Sequence, residues 1–157
     1  MLLIAPHSPI SPEGRALIAA SQAALLEVFR ADEIFTMDPA ELDRPHISFL
    51  VAQIDTPQGT QAVGCVAMVR CGDYAEVKRL FVEPAARGQG LARQLMAQLE
   101  DMARAECLPT IRLETGDALR AAVALYTDMG YQVCGPFGDY AAHPASLFME
   151  KSLIPTG

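Results

Sequence analysis

The strongest chemical signal in the sequence is a glycine-bearing turn between a strand-like and a helix-like segment. The turn spans residues 82–93, with glycine at 88 and 90 and arginine at 87 and 93. Glycine lets the backbone bend and lets a ligand approach it closely. The first N–H groups of a helix have no partner inside the helix, and the helix dipole adds partial positive charge there. The turn therefore indicates an anion site, to which the two arginines add charge and donors.

The spacing of this turn leaves two interpretations open and excludes two others. The sequence contains no G-x-x-x-x-G-K-[ST], so the turn is not a P-loop. It is not a dinucleotide fingerprint, because Arg93 stands where the third glycine belongs and no βαβ unit precedes it. An ordinary glycine turn with solvent-facing arginines and a pyrophosphate site of another kind both remain.

The elements before the turn are predicted to be a helical region and a meander. Apolar residues at helical spacing predict a helix over residues 15–29, and Asp38 followed by proline predicts a short helix over 38–42. Strand-like runs follow at residues 47–54, 62–70 and 74–82. Their short turn-rich connections imply antiparallel pairing.

The elements after the turn are predicted to alternate between helix and strand. Leu91, Leu95, Leu99 and Met102 form one apolar stripe, which predicts a long helix. A strand at 110–115, a helix at 119–129 that stops at Gly130, and closing strands at 131–134 and 146–153 follow. The order predicts one mixed α/β (α+β) domain over residues 1–157.

Composition narrows the range of partners. The chain has 157 residues, 51% of them apolar, which fits a single domain with a two-layer core. A net charge of −7 gives no basic footprint, so we expect no nucleic-acid partner. The four cysteines form no zinc pattern, and we expect no metal. No signal peptide or span of ~20 apolar residues is recognisable, so we expect a cytoplasmic protein without a membrane partner.

Two motifs resemble the GNAT superfamily of N-acetyltransferases. Arg87-x-x-Gly90-x-Ala92 is similar to its R/Q-x-x-G-x-G/A signature, and residues 125–131 (L-Y-x-x-x-G-Y) are similar to a second, downstream signature. Residues 76–82 resemble the strand before the first signature. The likeness covers about residues 46–153 and outweighs the ordinary-turn interpretation. It implies a GNAT-like domain with a central, mostly antiparallel mixed sheet flanked by helices.

The resemblance implies that the chain uses acetyl-CoA as a co-substrate and needs no metal. The strand before the turn would hold the pantetheine arm, and backbone amides would hold the pyrophosphate. The implied coenzyme contacts are Leu80, Phe81, Val82, Arg87, Gly88, Gln89, Gly90, Leu91, Ala92 and Arg93. One departure is Leu119, which stands where many members carry an asparagine that contacts the arm of the coenzyme.

The resemblance also implies direct transfer of the acetyl group to an amine, with two catalytic side chains. Tyr126 resembles the general acid toward sulfur, although its helical face also fits a core tyrosine. Glu76 resembles the general base of histone-acetylating members. The alternatives are pairing of Glu76 with Lys78 or Arg79, and a water chain that ends at another residue. A backbone N–H near Leu80 is the expected oxyanion donor.

In similar proteins the acceptor pocket is built from the first helices and the loop between the last two strands, here about residues 30–45 and 135–145. The first stretch is acidic, which favours a cationic amine or is only a solvated surface. Loops on rigid scaffolds often hold binding residues. Asp139, Tyr140 and His143 are therefore candidate acceptor contacts.

Together these features predict an acetyl-CoA-dependent N-acetyltransferase that acts on a small-molecule amine or an amino-acid-like acceptor. A protein or peptide N-acetyltransferase and a non-catalytic acyl-CoA-binding sensor are the alternatives. Homodimers are common among similar proteins, so a homodimer is a possible assembly.

Overall fold

A computed structural model describes residues 1–154 of the chain. The strands are β1 (Leu2–Pro6), β2 (Ile47–Thr56), β3 (Gly59–Cys71), β4 (Tyr74–Val82), β5 (Thr110–Gly116), β6 (Gln132–Cys134) and β7 (Ser146–Ser152). The α-helices are α1 (Pro12–Leu26), α2 (Pro39–Leu42), α3 (Leu91–Ala105) and α4 (Arg120–Asp128), with 3-10 turns at Ala31–Glu33 and Pro84–Ala86. Within residues 1–154, no helix combines the length and apolarity needed to cross a bilayer.

All seven strands form one sheet in the order β1-β2-β3-β4-β5-β7-β6. Every pair is antiparallel except β4–β5, which is parallel. This mixed sheet confirms the predicted fold class, and the elements after β1 follow the predicted order. The sequence prediction missed β1, which pairs with β2 at one edge of the sheet. A run of five residues that ends in a proline gives little periodicity, and its pairing with β2 is a long-range contact.

The core lies on both faces of the sheet. On one face, the α3 residues Leu95, Met96 and Leu99 are completely buried. This burial confirms the stripe that the spacing of the apolar residues predicted, since apolar side chains at intervals of three and four share one helix face. On the other face, Leu17 of α1 and Leu42 of α2 pack into a second cluster.

A β-bulge interrupts the pairing of β4 with β3. Cys65 faces Phe81 and Ala67 faces Lys78, so two residues of β4 oppose the single residue between Cys65 and Ala67. The extra residue is accommodated by Arg79, whose φ of 56° lies in the left-handed region. The bulge bends β4 immediately before the residues that the resemblance assigns to the coenzyme.

The parallel pairing of β4 with β5 is also short. The register runs from Tyr74 opposite Thr110 to Val77 opposite Leu113 and stops there. The last five residues of β4 therefore have no β5 partner, and the two strands separate toward their carboxyl ends. A gap at this point of a sheet leaves backbone groups free to bind a ligand.

We expect Leu99→Ala to lower the free energy of unfolding by about 2–5 kcal/mol, because it removes a fully buried side chain and leaves a cavity. Leu26→Ala is the matched control, since Leu26 is 49% exposed. Its effect should stay within about 0.5 kcal/mol. Urea denaturation of both variants measures the difference, and equal losses would contradict the assignment of the core.

Candidate active site

A cleft of about 630 Å³ occupies the gap between β4 and β5. Its walls are α1 with the segment that follows it, the carboxyl halves of β4 and β5, the turn before α3, and α4. Most of the predicted site residues line it: Leu80, Phe81, Val82, Arg87, Gly88, Gly90, Leu91, Ala92, Arg93 and Tyr126. Gln89, Glu76, Asp139 and Tyr140 do not.

The turn before α3 presents a row of free backbone donors. Within residues 1–154, the N–H groups of residues 88–93 donate to no backbone or side-chain acceptor. Gly88 and Gly90 have φ of 81° and 77°, which glycine adopts without steric cost. Gly90 is the N-cap and offers no side chain to the amides of α3. The donors therefore fit an anionic group such as a diphosphate.

The two arginines of the turn have partners within the protein. The Arg87 Nε donates to the Val82 carbonyl at 2.9 Å, and its guanidinium lies 5.8 Å from the centroid of the Phe81 ring. Arg93 pairs with Asp128 of α4. Arg87 thus braces the turn against β4, and Arg93 ties α3 to α4, while both still border the cleft.

Tyr126 lies on α4 and borders the cleft, and it is only 6% exposed. Its ring packs edge-on against Tyr131, with centroids 5.8 Å apart. Burial raises the pKa of the Tyr126 phenol above its ordinary value, and the negative charge of Glu114 adds to the rise. The phenol therefore keeps its proton at neutral pH and can donate it to a basic atom in the cleft.

Tyr131, from the same motif, is held by a buried polar cluster. Its hydroxyl donates to Glu100 at 2.9 Å, and the Lys151 Nζ donates to the other Glu100 oxygen at 2.7 Å. Glu100 is buried, so these bonds satisfy a carboxylate that would otherwise be costly inside the core. The cluster fixes the ring against which Tyr126 packs.

Glu76 is buried and does not border the cleft. The Tyr140 hydroxyl donates to its Oε2 at 2.6 Å, and the Lys78 Nζ lies 3.3 Å from the same oxygen. Lys78 also contacts the Tyr140 hydroxyl and donates to the Phe35 carbonyl at 3.0 Å. Burial and the Glu76 carboxylate both raise the pKa of Tyr140. Of the predicted pairings, Glu76 makes the one with Lys78.

The other predicted acceptor residues contribute unequally. Asp139 is exposed, and its side chain makes no hydrogen bond or ion pair among the described residues. The His143 Nδ1 accepts from the Ala145 N–H at 3.0 Å, and its ring packs edge-on against Phe35. Tyr140 is the loop residue that reaches the charged groups beside the cleft.

The acidic stretch after α1 mostly stabilises its own turns. Asp38 accepts from the Glu41 N–H at 2.8 Å, and Glu41 accepts from the Asp38 N–H at 3.1 Å. Glu33 accepts from the Arg30 N–H at 2.8 Å and borders the cleft. These bonds favour the solvated-surface interpretation over an acidic rim for Asp38 and Glu41.

The structure adds a carboxylate that the sequence reasoning missed. Glu114 borders the cleft in β5, one residue beyond the last pair with β4. Burial raises its pKa, and Glu76 adds to the rise, while Ser146 and Lys78 oppose it. A carboxylate in a strand was the available sequence signal. Its position in a cleft depends on where β4 and β5 separate, which the sequence does not show.

Comparison with known proteins agrees with this geometry. The model of the acetyltransferase (GNAT) family matches residues 16–131. The chain belongs to the GNAT family. The IAA acetyltransferase of Azospirillum brasilense is 41% identical over 152 residues, which cover 96% of this chain and 97% of that protein. This GNAT chain is therefore an acyltransferase, as its motifs predicted.

Solved structures show the same GNAT architecture. A Klebsiella pneumoniae protein described as an acyl-CoA N-acyltransferase superposes with a TM-score of 0.79 at 39% identity, over 98% of this chain and 99% of that chain. The PaiA N-acetyltransferase of Thermoplasma acidophilum, in complex with coenzyme A, gives a TM-score of 0.71 over 97% of this chain and 99% of that chain. At 16% identity, that likeness shows the fold alone.

We expect Gly90→Ala to weaken coenzyme A binding about tenfold. Alanine costs about 1–2 kcal/mol in the left-handed region, so the free turn should relax to another conformation, and binding must then restore the left-handed one. Gly72→Ala is the matched control: Gly72 has φ of 73° in the β3–β4 hairpin, and like Gly90 it has nothing within 4 Å of an added Cβ. Calorimetric titration should show normal affinity for Gly72→Ala. Equal affinities in the two variants would show that the turn at Gly90 is not part of the coenzyme A site.

Proposed function

We propose that this GNAT protein transfers an acetyl group from acetyl-CoA to the amine of a small acceptor by direct attack. The observation that carries the proposal is the row of free amides at residues 88–93, at one end of a cleft that also holds Tyr126 and Glu114. Anion binding and proton transfer can therefore take place in one continuous space. No metal is needed, since hydrogen bonds from backbone N–H groups stabilise the negative charge of the diphosphate.

The coenzyme site consists mainly of backbone. The amides of residues 88–93 would hold the diphosphate, and the backbone of Leu80, Phe81 and Val82, which has no partner on the β5 side, would hold the pantetheine arm. Leu119 borders the cleft where a polar side chain would add a contact, so the arm depends more on the β4 backbone here. When bound, the thioester supplies the acetyl group.

Glu114 is the better placed of the two candidate bases. An acceptor ammonium must lose a proton before its nitrogen can attack, and Glu114 borders the cleft where it can accept that proton directly or through water. Its raised pKa brings its proton affinity closer to that of an amine. Glu76 is the second candidate, and its link to the cleft is Lys78, which borders the cleft and pairs with Glu76.

Tyr126 supplies the proton for the leaving group. As the new C–N bond forms and the C–S bond breaks, the sulfur carries away the electron pair and takes the phenolic proton. The proton that the attacking nitrogen then releases returns to the phenolate, directly or through water. A buried phenol with a raised pKa is protonated at neutral pH and is ready for this step. The products are the N-acetylated amine and the free thiol of coenzyme A.

We expect the wild-type protein to release thiol from acetyl-CoA in the presence of small primary amines, and Tyr126→Phe to lower kcat about 100-fold. Affinity for acetyl-CoA should change less than about twofold, because only the hydroxyl is lost. Tyr74→Phe is the control, since Tyr74 lies outside the cleft. Binding without thiol release across the panel would instead support a sensor.

We expect Glu114→Gln to lower kcat/KM about 100-fold, and Glu76→Gln to have a smaller effect. In the wild type, kcat/KM should rise with pH as Glu114 loses its proton, with an apparent pKa above the ordinary 4.5. Glu114→Gln should lose this acidic limb. If Glu76→Gln removes the limb and Glu114→Gln keeps it, the assignment of the base is reversed.

Folding is not expected to account for the loss of activity in Glu114→Gln. The pKa of Glu114 is raised in the folded protein, so the folded state binds the proton more tightly than the unfolded state does. The contribution of Glu114 to stability is then fully present below the unfolded pKa and is lost as pH rises through the folded pKa. Near pH 7 the neutral glutamine should match or exceed wild-type stability in thermal melts.

A further inference from the structure

Arg79 is a buried cation that borders the cleft near α1 and the segment that follows it. We call this part of the cleft the acceptor half. Arg79 occupies the β-bulge of β4, and only 8% of its surface is exposed. Its Nε donates to the Met37 carbonyl at 3.0 Å, and one terminal nitrogen contacts the Ser21 hydroxyl at 3.4 Å. These bonds use two of the five N–H donors of a guanidinium.

No carboxylate pairs with this guanidinium. Among residues 1–154, no acidic side chain lies within 4 Å of Arg79, although Asp38 and Glu41 act on it from further away. Burial lowers the pKa of Arg79, which reflects the cost of keeping its charge away from water. Among the described residues no buried side-chain nitrogen lacks a hydrogen-bond partner, so the terminal nitrogen of Arg79 that makes no bond is accessible to solvent. Buried charges are normally paired, and an anion from solution can reach this nitrogen.

The charged side chains near Arg79 in the acceptor half of the cleft do not supply an anionic partner for it. Lys78 is already paired with Glu76. Arg79 and Glu114 both border the cleft and are not paired with each other. A zwitterion, with an ammonium toward Glu114 and an anionic group toward Arg79, would neutralise both.

The wall beside these charges is apolar. Leu25, Phe29 and Ile34 all line the cleft. The Phe29 ring lies so close to Gly116 that an added Cβ there would be 2.0 Å from the ring, so the ring is seated against the end of β5. This surface favours an apolar side chain on the acceptor.

We propose that Arg79 binds the carboxylate of the acceptor, and that the acceptor is a free amino acid with an apolar side chain. The inference rests on the N-acetyltransferase function proposed above and adds the class of its substrate. A guanidinium suits this role because its planar donors match the two oxygens of a carboxylate.

The test compares acceptors that differ only in the carboxylate. With saturating acetyl-CoA, kcat/KM is measured for L-phenylalanine and L-phenylalaninamide, and for L-leucine and L-leucinamide. In the wild type, the acid of each pair should be preferred by about 10- to 100-fold, as expected for hydrogen bonds to a charged group. A wild-type protein that acetylates the amides as well as the acids overturns the inference.

Variants separate binding of the carboxylate from a purely structural role of Arg79. Arg79→Gln should bring the acid-to-amide ratio close to one, and Arg79→Lys should restore part of it. Arg70→Gln, on β3 outside the cleft, should keep the wild-type ratio. If Arg79→Gln slows both acceptors of a pair equally, Arg79 serves only to anchor the Met37 carbonyl.

A binding measurement on the wild type covers the case in which Arg79→Gln fails to fold. In the presence of coenzyme A, 3-phenylpropionate should raise the Tm more than 3-phenylpropanamide does, and equal shifts overturn the inference. Calorimetry with coenzyme A tests the proposed function separately. No coenzyme binding would reject that function, whereas coenzyme binding with no preference for carboxylates would reject only the acceptor class.

Discussion

The structure depends on the parting of β4 from β5. Two parallel strands can keep pairing only while both hold their register, and the bulge at Arg79 bends β4 away after four paired residues. The separation leaves backbone donors and acceptors without partners, and this would be costly in a closed core. It is tolerable because the groups line a cleft that water or a ligand can fill. The cleft is thus produced by an interruption in the sheet rather than by a loop added to it.

The same gap explains why the site is built largely from main chain. The turn after β4 starts α3 directly beside the gap, so residues at the helix start whose N–H groups have no acceptor border the same space. Side chains contribute mainly by bracing this arrangement. Arg87 bonds the β4 carbonyl of Val82, and Arg93 pairs with Asp128 on α4. A backbone site of this kind constrains conformation more than residue identity, with glycine at 88 and 90 as the exception.

Burial gives the cleft its chemical character. Removal from water raises the pKa of Tyr126 and of Glu114 and lowers the pKa of Arg79. In each case the neutral form is favoured, because charge is poorly solvated at the base of the cleft. A protonated phenol, a more basic carboxylate and a guanidinium lacking an anion are the groups that acyl transfer to a zwitterionic amine would use. Their cost to folding is balanced by the two apolar clusters on either side of the sheet.

Local patterns in the sequence predicted the elements other than β1, and they pointed to residues 87–93 as a candidate anion site. Apolar spacing predicted α3, and the glycines and arginines at residues 87–93 predicted the site, because both depend on neighbours a few residues apart. Only tertiary structure decided that Glu76 lies beneath Lys78, that Glu114 enters the cleft, and that β1 joins the sheet edge. These features depend on strand register and on the point at which β4 and β5 separate. Both are set by contacts between residues that are tens of positions apart in the chain.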